Sequence, residues 1–141
     1  MTFVFVDTGA WIALGSDRDR HHPAARKHLA SLLDGRTPLV TSNYVVAETA
    51  TRLRYGGGLQ SALKFRTTLD RTAATGQLRM IWIDPRLEAE GWEILRQYPS
   101  VQLSLTDATS AAAARHRRIR DVFGFDRDFE ALGFTVRPAG P

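Results

Sequence analysis

Phe3-Val4-Phe5-Val6-Asp7-Thr8-Gly9-Ala10-Trp11 is the stretch that decides the fold class. Its first four residues are aromatic or β-branched with no polar position among them, the pattern of a strand buried on both faces. Asp7 ends the run. Thr8 is a residue type that caps a helix, Ala10-Trp11-Ile12-Ala13-Leu14 continues as that helix, and Gly15 stops it. The chain therefore passes from buried strand to helix with an acid at the joint. A strand covered on both faces belongs in a parallel sheet, whose strands are joined by helical crossovers.

The same alternation repeats outward from this joint. A polar stretch leads to Pro23, favoured in a first helical turn, and Ala24, Ala25, His28, Leu29, Leu32 and Leu33 then recur at helical spacing until Asp34-Gly35. Residues 38–41 read as a second strand, Ser42 as the cap of a helix over 43–55, and Gly56-Gly57-Gly58 as its end. Residues 59–74 form a further helix, 78–83 a third strand and 86–97 a helix after Asp84-Pro85. Ser104-Leu105-Thr106-Asp107 has capping-box spacing and opens an alanine-rich helix to about residue 118. Residues 122–125 are a fourth strand ending at Asp126, 127–132 a short helix and 134–136 a fifth strand. This order predicts an α/β protein with a mostly parallel sheet covered on both faces. Residues 1–137 read as one domain, and 138–141 as a short disordered tail.

Length and composition fit that reading. A chain of 141 residues with 43% hydrophobic and 24% charged residues suits one globular core. Nineteen Lys and Arg against fifteen Asp and Glu leave a formal charge of +4, which favours a polyanionic partner. The absence of cysteine excludes disulfides, thiolate catalysis and cysteine-ligated metals. No apolar run approaches a membrane span, because Asp7 interrupts the first, and a cytoplasmic protein is expected.

The acids carry the chemistry. Ligands of open parallel sheets gather beyond the carboxyl ends of the strands, where Asp7 and Asp126 stand. Asp107 by itself reads as the acid of its capping box. Glu48 by itself reads as a solvated helix residue, away from a packing stripe of Val46, Ala50 and Leu53. Four carboxylates brought into one pocket repel one another unless a divalent cation compensates them. Mg2+ suits such oxygen donors, Mn2+ is its substitute, and the chemistry that uses the arrangement is phosphodiester hydrolysis.

At this point the motifs resemble the PIN-domain family, and within it the VapC-like toxins of bacterial toxin–antitoxin pairs. Val4-Phe5-Val6-Asp7-Thr8-Gly9-Ala10-Trp11 looks like the family's opening, and Thr41-Ser42-Asn43-Tyr44-Val45-Val46-Ala47-Glu48 like its second motif. Ser104-Leu105-Thr106-Asp107-Ala108 is similar to the third, and Phe123-Gly124-Phe125-Asp126-Arg127-Asp128-Phe129 to the last. The resemblance implies a three-layer α/β/α sandwich with a five-stranded parallel sheet. It also implies a Mg2+-dependent endoribonuclease, acting on tRNA or rRNA, and a cognate antitoxin. Carried over by position, the catalytic and metal-holding acids are Asp7, Glu48, Asp107 and Asp126, supported by Thr8, Thr106 and Asp128. Gly9 and Gly124 depart from the family, whose members often carry hydroxyl residues there, which bears on rate or metal affinity.

Arg115, Arg117 and Arg118, with Arg120, crowd together beside the expected acid pocket, and Arg52 lies down the helix from Glu48; these are candidate grips on RNA. A solvated helix end explains the cluster equally well. His21-His22 reads as a helix start before Pro23 rather than a metal pair. Trp11 and Trp82 sit in apolar runs and are expected in the core, whereas Tyr44 and Trp92 stay open to a stacking role. By analogy, residues 52–71 present the surface for a homodimer or the antitoxin. The competing functions are a nuclease of structured nucleic acid or an RNA-processing protein with no toxin role, and a nucleic-acid-binding module without chemistry. A phosphatase in which Asp7 is the nucleophile needs a second acid two residues on, where Gly9 stands.

Overall fold

The computed structural model describes residues 2–140, so Met1 and Pro141 of the expected domain and tail lie outside the described residues. The elements run β1 (Val4–Val6), α1 (Thr8–Gly15), α2 (His22–Asp34), β2 (Leu39–Ser42), α3 (Asn43–Gly57), α4 (Leu59–Ala74) and β3 (Leu78–Ile81). They continue with α5 (Pro85–Gln97), α6 (Leu105–His116), β4 (Asp121–Phe123), α7 (Asp128–Ala131) and β5 (Thr135–Arg137). Residues 138–140 carry no regular element.

All the ladders are parallel, and the five strands lie in the order β3-β2-β1-β4-β5. The opening run thus becomes the central strand, with Val4 beside Leu39 on one flank and Asp121 on the other. Val4, Phe5 and Val6 are all buried, as an uninterrupted apolar run requires. From β1 the chain moves outward to β2 and β3, then returns past β1 to β4 and β5. Right-handed crossovers in opposite directions place α1–α4 on one face and α5–α7 on the other, giving three layers. No helix of the described residues is long and apolar enough to cross a membrane.

Local packing follows from a few side chains. Trp11 is buried and its ring lies 5.8 Å from that of Phe65 on α4. Its indole N–H donates to Thr41 Oγ1 at 3.2 Å, and the Thr41 hydroxyl donates to the Val6 carbonyl at 2.9 Å, so the buried polar atoms are satisfied and the end of β1 is braced. Between α5 and α6 the contact is close: a Cβ added at Gly91 would stand 2.7 Å from Thr109 Cγ2 and 3.2 Å from its backbone nitrogen.

Several expectations are corrected. Trp82 is 70% exposed: the third strand ends at Ile81 and lies at the sheet edge, so Trp82 falls just past it, outward between the buried Ile81 and Ile83. The buried stripe of α3 is Val45, Thr49 and Leu53, with Val46 and Ala50 only half-buried at its margin. Asp7, not Thr8, occupies the N-cap position of α1; Thr8 is the first helical residue. The fourth strand ends at Phe123, so Asp126 stands three residues past it, just after the bend at residues 124–125.

The α5–α6 crossing leaves Gly91 no room for a side chain. Gly91→Val is expected to cost roughly 1–3 kcal/mol, the range for overpacking, read as a lower urea midpoint with an unchanged slope.

Candidate active site

The sheet reverses its direction of growth at β1, and the crevice between β1 and β4 opens at their carboxyl ends, the place where open α/β sheets take ligands. Asp7 leaves the first of these strands and Asp126 follows the second. Helix α3 starts directly after β2 and carries Glu48 toward the same edge, and α6 brings Asp107 in its first turn. All four acids line one cleft of about 430 Å³.

Each carboxylate is held differently. Glu48 Oε2 accepts the Thr8 hydroxyl at 2.7 Å, tying α3 to the start of α1. Asp107 Oδ2 accepts the Ser104 amide at 2.9 Å while Ser104 Oγ accepts the Asp107 amide at 3.0 Å, so the capping box read from the spacing is present. Asp126 Oδ1 accepts the Asp128 amide at 2.9 Å. Asp7 is 4% exposed, and its Oδ1 is buried without a hydrogen-bond partner.

The electrostatics follow from this crowding. Burial, then the Asp107 charge, push the Asp7 carboxyl up to about 7; Glu48 and Asp126 add to the rise and the Thr8 amide opposes it. Burial also raises Asp107, aided by Asp126 and Glu48 and opposed by its bonds to Ser104. A buried, unpartnered carboxylate oxygen among three other acids is what a hard divalent cation satisfies. Among the described residues no three acids or imidazoles stand close enough together to hold an ion by themselves; the four acids line the cleft without closing on one point.

Other candidates are divided. Arg52 lines the cleft, and Asp128 contributes its backbone amide to Asp126. Thr106 is not on the cleft wall; its carbonyl accepts the Thr109 hydroxyl. The cluster Arg115, Arg117 and Arg118 does not lie beside the acids. At about 1.5 Å per helical residue, Arg117 at the end of α6 is roughly 15 Å from Asp107 at its start. Arg115 instead donates to the Leu132 carbonyl at 3.0 Å, and its guanidinium sits 6.0 Å from the Phe134 ring. Conversely Asp19, Arg20, His21, Gln102 and Phe125 line the cleft and were not marked by the sequence pattern as part of it. A polar loop before a helix has no periodicity from which to infer its partners; only the unusual His21-His22 pair drew notice.

A parallel sheet that gathers four acids at its switch point is an arrangement that metal-dependent nucleases use. The chain belongs to the PIN-domain family, whose model matches residues 4–135. It is 36% identical over 137 residues to the 23S rRNA-specific endonuclease VapC20 of Mycobacterium tuberculosis, spanning 96% of this chain and 98% of that protein. The crystal structure of M. tuberculosis VapC20, described as a sarcin–ricin-loop-cleaving toxin, superposes with a TM-score of 0.82 at 33% identity, covering 94% of this chain and 96% of that one. VapBC2 from Rickettsia felis, solved with a DNA fragment of its promoter, shares the fold with a TM-score of 0.71 at 13% identity over 96% of this chain and 98% of that one.

The two glycines that depart from the family pattern differ in consequence. A Cβ at Gly124 would stand 3.2 Å from Asp7 Cβ and 3.5 Å from its Oδ2, whereas one at Gly9 would meet only the Phe125 amide nitrogen at 3.7 Å. Gly9→Ser is therefore expected to leave stability within about 0.5 kcal/mol, as for an unobstructed site, and Gly124→Thr to displace Asp7 and weaken divalent-ion binding, read by calorimetry.

The pH dependence has a defined sign. In the unfolded chain Asp7 ionises near its ordinary value of 3.8, and in the folded one near 7. The folded state thus holds an extra proton between those values, and the associated stability, complete below pH 4, is lost as pH rises through 7. Melts in EDTA are expected to show the wild type losing at least about 4 °C relative to Asp7→Asn between pH 5 and 8, the shift of roughly 1 kcal/mol in a domain of this size.

Proposed function

We propose that this chain is a Mg2+-dependent endoribonuclease that hydrolyses RNA phosphodiester bonds as the toxin of a toxin–antitoxin pair, with ribosomal RNA as its substrate. The observation that carries the reading is the buried Asp7 carboxylate, one oxygen of which has no hydrogen-bond partner, in one cleft with three further acids. The 36% identity to a 23S rRNA-specific endonuclease over almost the full length of both chains supports the choice of RNA and of the ribosome over tRNA.

In this reading Asp7, Glu48, Asp107 and Asp126 hold the divalent ion. Such an ion would supply the Lewis acidity that activates a water toward phosphorus and offsets charge on the leaving oxygen. The protein's part is positioning. Thr8 fixes Glu48, Ser104 takes one oxygen of Asp107 and leaves the other free, and the Asp128 amide fixes Asp126. Thr106 and Asp128 act through the backbone rather than as side-chain ligands. Arg52, on the cleft wall, takes the RNA backbone, and Arg117 and Arg118 meet a longer RNA outside the cleft. Arg115, already engaged, braces the far end of α6. No side chain is needed as a covalent nucleophile.

The antitoxin and a second copy of the chain are the proposed partners in the cytoplasm. The exposed Tyr55, Leu59 and Leu63 on the α3–α4 hairpin support that hairpin as the contact surface.

Purified protein incubated with ribosomes and Mg2+, followed by mapping of the new RNA ends, is expected to give one dominant cut in 23S rRNA. Asp7→Asn and Asp107→Asn should each lower the rate by at least about 100-fold, and Thr8→Val by about 10-fold, as for loss of an outer hydrogen bond to a metal ligand. Cleavage that persists in EDTA or in Asp7→Asn overturns the metal-site reading, and cuts confined to tRNA overturn the choice of substrate.

A further inference from the structure

The acids account for only part of the cleft. Its remaining wall comes chiefly from the α1–α2 loop and from Phe125, the residue before Asp126. The His21 ring lies flat on the Phe125 ring, with centroids 4.1 Å apart and planes within 8°. Arg20 Nε donates to His21 Nε2 at 3.2 Å, which keeps the guanidinium at the margin of the aromatic pair.

The loop that presents these residues is braced. Asp19 Oδ1 accepts the His21 amide at 2.8 Å, the Asp19 carbonyl accepts the His22 amide at 3.0 Å, and His22 Nδ1 lies 2.7 Å from the Ala13 carbonyl. Asp19 is thus used in holding the loop. Phe125 packs on the core from its margin, but both rings of the pair are only half-buried and Arg20 is exposed.

A flat aromatic pair with a cation at its edge, next to a phosphodiester-cleaving site, matches the two parts of an unpaired nucleotide: a base with a π-face and a charged phosphate. The cleft volume of about 430 Å³ falls within the roughly 300–1,000 Å³ typical of sites for a single small ligand. That is room for one nucleotide drawn out of its stack. We propose that Arg20, His21 and Phe125 form a nucleotide clamp, in which an unpaired base flanking the cut bond stacks on the His21–Phe125 pair and Arg20 takes its phosphate. The clamp restricts the enzyme to looped or single-stranded RNA. This inference rests on the nuclease reading of the acids and identifies the substrate class of that same site.

The test is binding without turnover. A hairpin RNA carrying 2-aminopurine at each loop position in turn is titrated with protein in EDTA, and its fluorescence is followed. The wild type is expected to quench one loop position strongly and to be displaced poorly by duplex RNA. His21→Ala should weaken binding by about 10-fold and abolish the quench, while His21→Phe restores both, because stacking and not imidazole chemistry is at issue. Arg20→Ala should keep the quench but lower the salt slope of binding by about one. Wild-type quenching in His21→Ala, or equal competition by duplex RNA, overturns the clamp. Should His21→Ala fail to fold by circular dichroism, His21→Phe and Arg20→Ala decide the matter: loss of quenching in the first, or an unchanged salt slope in the second, overturns it. Cleavage with Mg2+ that survives loss of the clamp leaves the nuclease reading intact. Quenching without any cleavage removes that reading while leaving the clamp.

Discussion

The carboxylate of Asp7, buried at the end of the central strand, is the constraint around which the molecule is arranged. Burial of an unpaired acid costs several kcal/mol unless cations or donors meet it. Here one oxygen has no protein partner, and the charged side chains that act on it are themselves acids. The structure around it is correspondingly stiff: Val6 is pinned through Thr41 and Trp11, Gly124 leaves room for the side chain, and β1 is flanked by strands on both sides. The fold holds a charge-demanding group where a mobile protein would let it turn to water.

The other acids are built into the fold in graded ways. Asp107 is both a wall of the cleft and the closing member of a helix cap, and Asp126 closes the bend that leads into α7. Glu48 bonds only to a hydroxyl, that of Thr8. The α1–α3 contact is therefore joined to the cleft by a single side-chain pair. This division of labour is consistent with a family, the PIN domains, in which the sheet is a scaffold and the acids sit on the loops and helix starts around one edge.

Much of this was legible in the sequence, unevenly. The uninterrupted run before Asp7 marked a strand buried on both faces, and the strand–helix alternation gave the architecture, because alternating elements leave a pattern that a single chain displays. Asp7 was visible as an acid at a strand end. Glu48 and Asp107 were visible only through the family pattern, since alone they resemble a surface residue and a cap. What escaped was tertiary. Trp82 looked like core because an apolar run reveals neither that its strand stops at Ile81 nor that the strand lies on an edge. The arginine cluster seemed close to Asp107 because both lie on one helix, although three turns separate them. The loop holding Arg20 and His21 has no repeating pattern, so nothing in its spacing announced that it would lean on Phe125.

The capping role of Asp107 has a consequence for how such a gene decays. A lineage that drifts toward a harmless relic has to abolish activity before it loses a foldable chain, since an unfolded product is itself a burden. Asp107 is a poor first step, because its carboxylate also secures the start of α6, and Asp126 is little better. Glu48 supports no backbone group and is only half-buried. On the proposed role of the four acids, the earliest tolerated inactivating changes are thus expected at Glu48, so naturally silenced copies would keep their strands, caps and clamp long after they had ceased to cut.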